Sequence, residues 1–262
     1  MTRGSPLADV EVRVEDGALW LTLNRPSVFN ALSAEMADEL AAVVEGATAR
    51  DDVRVVVLTG AGAAFSTGAD ISGADAHENF DAHALDRANR IVRAITTLDK
   101  PVVAAVNGIA AGVGCSAALA ADLVVAAESA SFLLAFARIG LMPDGGATAT
   151  VAASIGRARA MRMALLADPL TAREAYDAGL VTHVASDAEF PALLETVVRR
   201  LAAGPPLAFA ATKKAINAAT LGPLEGALER ERRGQTVLLR TADVAEGMRA
   251  FTERRRPVFG GA

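Results

Sequence analysis

The chain has 262 residues, a formal net charge of −5, 52% hydrophobic residues and a mean hydropathy of +0.30, so it is long enough for one large or two small units around a sizeable core. The negative balance excludes general affinity for nucleic-acid backbones, and the apolar residues are interrupted too often for a membrane span. A lone cysteine, Cys115, excludes an internal disulfide and fits a reducing compartment; with no apolar leader core in Met1 to Asp9, a cytoplasmic location is expected.

In chain order, Val10, Val12 and Val14 alternate with charged residues, Asp16-Gly17 offers a tight turn, and Leu19, Leu21 and Leu23 alternate again, which predicts a β-hairpin. Ser33 is placed to cap a helix whose apolar face carries Met36, Leu40 and Val44. A strand over Val53 to Leu58, a helix ending near Leu98, a strand over Val102 to Val106, a glycine loop, a further helix and a strand over Leu123 to Ala126 follow. Such alternation implies crossover connections and a layered α/β fold. The polar, aperiodic stretch Ser72 to Asp86 reads as a surface loop or lid. Beyond Phe190, the segments 193–201, 207–219, 224–240 and 244–255 all carry helical periodicity, broken by Gly204-Pro205-Pro206 and Gly222-Pro223. The chain divides accordingly into a core over 1–195 and a C-terminal helical region over 196–262. His77, His83 and His183 lack the spacing of a metal site, so no metal is expected.

Two small-residue loops carry the chemistry. Phe65 to Ile71 and Asn107 to Cys115 each follow a strand-like run, and small side chains there leave backbone N–H groups bare. Two such groups aimed at one point stabilise an enolate or tetrahedral oxyanion.

These residues closely resemble the enoyl-CoA hydratase/isomerase, or crotonase, superfamily. The resemblance rests on Asn24-Arg25-Pro26 with Asn30-Ala31-Leu32, Gly68-Ala69-Asp70-Ile71, Lys100-Pro101 to Cys115, Gly140-Leu141 with Pro143, Gly179-Leu180-Val181 and the Glu246-Gly247 to Phe259 tail, in that order along the whole chain. It implies a spiral of ββα units, a homotrimer or dimer of trimers formed through the C-terminal helices, and an acyl-CoA thioester as ligand, with coenzyme A entering as part of the substrate and no separate cofactor. It further implies an oxyanion hole made by the N–H groups of Ala69 and Val113, valine standing where the family usually has glycine, so that its side chain must turn from the thioester. Arg25, Thr67, Gly68, Asp70 and Ile71 fall where relatives hold coenzyme A. Arg254-Arg255-Arg256 resembles a segment that approaches the nucleotide end.

Hydratases of the family work with two glutamates. Here the matching positions are Ser116 and Phe136, neither able to act as acid or base, although both remain candidates to touch substrate. One carboxylate stands nearby, Asp144 in Met142-Pro143-Asp144-Gly145-Gly146, where single-acid isomerases of the family, including those of phenylacetate breakdown, carry their acid. The resemblance thus implies an acyl-CoA isomerase with Asp144 as proton shuttle. Poor hydration, another thioester reaction and non-catalytic binding of acyl-CoA are the alternatives. Asp144 also precedes a predicted helix start, where aspartate is a good N-cap, and a capping carboxylate would be a feeble base.

Overall fold

The computed structural model describes residues 9–71 and 82–262. The expected hairpin forms from β1 (Val10–Glu15) and β2 (Ala18–Leu23), paired antiparallel with Val10 opposite Leu23. Asp16 and Gly17 both take positive φ, 49° and 79°, the turn whose twist suits a two-residue hairpin. After α1 (Ala34–Gly46) come β3 (Val55–Gly60) and the short β4 (Ala64–Ser66); β3 begins two residues later than the sequence suggests, because Val53 is held in a turn by its N–H bond to the Arg50 carbonyl. Then follow α2 (Ala82–Thr97), β5 (Val102–Val106), β6 (Ile109–Ala111), α3 (Gly112–Leu119), β7 (Leu123–Ala127) and β8 (Ser131–Leu133). The remainder comprises α4 (Ala147–Leu166), β9 (Leu170–Thr171), α5 (Ala172–Ala178), β10 (His183–Ala185), α6 (Phe190–Ala202), α7 (Pro206–Thr220), α8 (Leu224–Leu238) and α9 (Ala242–Thr252). Residues 72–81 of the expected loop, with His77, lie outside the described residues; its last residues open α2.

A six-stranded sheet runs β1-β2-β3-β5-β7-β10, parallel apart from the hairpin, and a four-stranded sheet runs β4-β6-β8-β9. Alternate side chains of the larger sheet feed two cores. Val56 and Leu58 join the main core with α1 and α2, whereas Val55 and Val57 face Leu194, Val197 and Val198 of α6. Burial of both faces explains the near-continuous valine and alanine runs of β3 and β5. The smaller sheet collects the strands that leave the larger one, and so brings the two small-residue loops side by side. Among the described residues, no helix is long and apolar enough to cross a membrane.

Ser33 caps α1 as expected, its hydroxyl accepting the Met36 N–H at 3.2 Å. Ser33→Ala is therefore expected to destabilise the protein by about 1 kcal/mol, read as a lowered urea midpoint with unchanged m-value. No change in midpoint would show that water replaces the cap at no cost.

Candidate active site

The site is assembled where the chain turns out of β4 and into α3. Asn30 lies buried in left-handed geometry at φ 56°, and its side-chain amide donates to the carbonyls of Ala61 and Ala64 at 2.9 and 2.8 Å. That clamp lays Leu32 alongside Ala69 as an isolated parallel bridge: the Leu32 N–H donates to the Gly68 carbonyl and the Asp70 N–H to the Leu32 carbonyl. In a parallel bridge the central residue's own N–H faces away, so the Ala69 donor is left over. Val113 is the second residue of α3, where an N–H has no intrahelical acceptor. Among the described residues neither N–H donates a hydrogen bond.

Both residues line a cavity of about 720 Å³. Gly68 sets their approach. At φ 95° its α-carbon packs so tightly that a Cβ would stand 2.9 Å from the Ala111 carbonyl oxygen and 3.2 Å from the Val113 nitrogen. The Val113 side chain leans toward the Gly145 turn, where a Cβ on Gly145 would meet Val113 Cγ2 at 3.5 Å, and the residue forms part of the wall.

Asp144 stands on the same wall, 4% exposed. Its expected alternative role is filled by another residue. The N-cap of α4 is Gly146 at φ 75°, without a side-chain cap bond, and the carboxylate of Glu231 on α8 accepts the N–H groups of Gly146 and Thr148 at 2.7 and 2.9 Å together with the Thr148 hydroxyl. Asp144 is thus released from capping. Its Oδ2 accepts one hydrogen bond, from Gln235 Nε2 at 2.9 Å, and its buried Oδ1 has no partner among the described residues. Burial pushes this carboxyl up to about 7; the Gln235 bond opposes the rise, and the charge of Glu231 adds to it. A carboxyl so placed titrates near neutrality, as a proton shuttle must.

The remaining expected site residues divide. Thr67, Asp70, Ile71 and the apolar ring of Phe136 line the cavity, whereas Arg25, Gly68 and Ser116 do not. Arg25 is committed to the cavity's frame, its guanidinium donating to the Ala31 carbonyl and pairing with Asp70 at 2.9 Å. The expectation that Ser116 touches substrate meets a different arrangement: it is buried, and its hydroxyl donates to the Asp144 carbonyl at 2.8 Å, so it anchors the carboxylate's backbone. Cys115 beside it is sealed, burial pushing its thiol up to about 12. Of the arginine cluster, Arg254 lines the cavity with Arg138, while Arg255 is spent on Glu246 and Glu253. Sequence reasoning missed Glu231 and Gln235. Their signal was present, since with Leu224, Ala227 and Leu228 they continue the buried stripe of α8, and polar residues on such a stripe need a buried partner.

Comparisons with known proteins show the family. The family model described as enoyl-CoA hydratase/isomerase matches residues 13–262. A Rhodobacter capsulatus protein named "Probable enoyl-CoA hydratase" is 44% identical over 96% of this chain and 98% of its own length, and the 1,2-epoxyphenylacetyl-CoA isomerase of Escherichia coli is 39% identical over 95% and 97%. Among solved structures, an enoyl-CoA hydratase from Mycobacterium avium subsp. paratuberculosis superposes with a TM-score of 0.92 at 49% identity, covering 97% of this chain and all of that one. The two sheets, their order and the loops they bring together are those of a crotonase fold, and the chain belongs to the enoyl-CoA hydratase/isomerase family.

Proposed function

We propose that the protein is an acyl-CoA isomerase that shifts a double bond through a thioester enolate. The observation that carries this reading is a buried carboxyl, Asp144, pushed up to about 7 on the wall of a cavity that Ala69 and Val113 also line, neither of whose N–H groups donates a hydrogen bond among the described residues. With a 3-enoyl-CoA, Asp144 takes a proton from C2, and the electron pair of that C–H bond moves into the thioester carbonyl. The resulting dienolate oxygen accepts hydrogen bonds from the Ala69 and Val113 N–H groups, which donate to no other group among the described residues. Asp144 then returns the proton at C4, the double bond settles between C2 and C3, and the carboxylate is regenerated. One base suffices, and the coenzyme A moiety enters and leaves with the substrate.

Hydration is the second reading, favoured by the name of the Rhodobacter relative. It requires a water held between two acid–base groups, and the positions that the resemblance assigns to them hold Phe136, an apolar ring on the cavity wall, and Ser116, bonded to backbone. Arg254 and Arg138 at the cavity suit the phosphates of coenzyme A. Assembly as a homotrimer or dimer of trimers belongs to the same proposal; α7, which buries none of its residues within the chain, supports it.

The test follows purified protein with a 3-enoyl-CoA and, separately, a 2-enoyl-CoA. The expected result is growth of the conjugated-thioester absorbance from the first and its persistence with the second. Loss of that absorbance by hydration at a comparable rate would replace the single-base reading with the second one, and inertness toward both would overturn each.

A further inference from the structure

We propose that Gln235 is a positioning residue that assigns proton transfer to one oxygen of Asp144, Oδ1. The inference rests on the reading of Asp144 as the base, but its decisive test does not. Gln235 is fully buried on α8 and bridges two groups of the Met142–Asp144 segment. Its Oε1 accepts the Met142 N–H at 3.2 Å. A backbone N–H is an obligate donor, so the atom facing it is the amide oxygen, and the amide nitrogen is thereby turned to Asp144 Oδ2, 2.9 Å away. A donor held against Oδ2 keeps that oxygen an acceptor in both protonation states. The carboxyl proton then resides on Oδ1, the buried oxygen with no partner among the described residues.

The chemical consequence concerns the return of the proton. The bond from C2 to hydrogen breaks as the Oδ1–H bond forms, and that same Oδ1–H bond breaks as hydrogen joins C4, with the electron pair passing through the dienolate between the two events. Both steps use one oxygen and one face of the substrate, and among the described residues no group offers the proton a hydrogen-bonded exit during the interval. Among the described residues, the charged groups facing Asp144 are Glu231, a titratable carboxyl on the same helix face as Gln235, and, elsewhere on the cavity wall, Asp70, Arg138 and Arg254.

The protein without ligand, its aspartates carrying ¹³C in the carboxyl, provides the test; the Asp144 resonance is identified by its absence in Asp144→Asn. Gln235→Met preserves length and loses the donor, so the Asp144 midpoint is expected to rise by about one pH unit. Gln235→Glu is isosteric and sets an acceptor against Oδ2, so the rise is expected to be larger. A midpoint unmoved in both variants overturns the inference, and the two together guard against one failing to fold. With a 3-enoyl-CoA, Gln235→Met is expected to lower kcat at least tenfold with KM within about twofold, and to reduce the fraction of C2 deuterium recovered at C4. A fall in kcat with the recovered fraction unchanged would leave Gln235 a packing residue and also overturn the assignment. If the midpoint moves while no variant or wild type isomerises any 3-enoyl-CoA, the hydrogen bond is upheld and the isomerase reading is what fails.

Discussion

Asp144→Asn is expected to slow double-bond migration by about 10²- to 10⁴-fold, because the substitution keeps the shape of the wall and removes a carboxyl that burial pushes up to about 7. Binding is expected to persist, since Asp70, Thr67 and the two N–H donors are untouched. The same variant has a thermodynamic signature with a defined sign. The Asp144 carboxyl titrates near 7 in the folded protein against an ordinary 3.8, so between those values the unfolded chain holds fewer protons than the folded one. Stability from this group is full below about 4, declines as pH rises, and levels off above about 7. Asparagine carries no such slope, and its side-chain carbonyl still accepts the Gln235 bond. The stability of Asp144→Asn relative to wild type should therefore rise between pH 4 and 8, by on the order of 4 kcal/mol. Taking the difference between the two proteins removes the part of the Glu231 titration that comes from its own burial and leaves its coupling to Asp144 within the measured effect. Unfolding midpoints that run parallel with pH would mean that Asp144 titrates ordinarily, and an Asn variant with undiminished rate would remove it from the chemistry.

The second large effect is expected at Gly68. A Cβ there would press on the Ala111 carbonyl oxygen at 2.9 Å and stand 3.2 Å from the Val113 nitrogen, on a backbone at φ 95° that side-chain-bearing residues rarely adopt. Gly68→Ala should cost about 1–3 kcal/mol in stability through that strain. Relief requires the 67–70 loop and the start of α3 to separate, which moves the Ala69 and Val113 donors apart. Loss of one donor to an oxyanion lowers kcat by about 10²- to 10³-fold, and the variant is expected to fall in that range. A variant that keeps wild-type kcat would show that the oxyanion is held by other groups.

The elements that sequence patterns disclosed were those long enough to show a period. The β1–β2 hairpin, α1 with its Ser33 cap and the four C-terminal helices fall within a few residues of expectation because each spans several turns or alternations, and β5 because it is an unbroken apolar run. The four-stranded sheet was invisible to periodicity: β4, β6 and β8 have three residues each and β9 two, too few for a period-2 pattern, and their pairing is set by distant chain. In the site, Ala69, Val113 and Asp144 were identifiable through family motifs, and the structure brings all three to one cavity. Whether Asp144 capped a helix was undecidable locally, since Asp-Gly-Gly before an alanine-rich run suits a cap. The competitor for those amides, Glu231, lies on a helix far along the chain. Ser116 misled for a related reason, because a serine in the glycine-loop helix carries no mark of whether its hydroxyl faces ligand or backbone.

One turn of α8 separates Glu231, which holds the helix start after Asp144, from Gln235, which holds the carboxyl itself. The acidity of a residue in the first 195 positions, raised by burial, is thereby adjusted from the last third of the chain. In a chimera of two relatives joined near residue 195, the Asp144 carboxylate would be inherited from one parent and its hydrogen-bond partner and charged neighbour from the other.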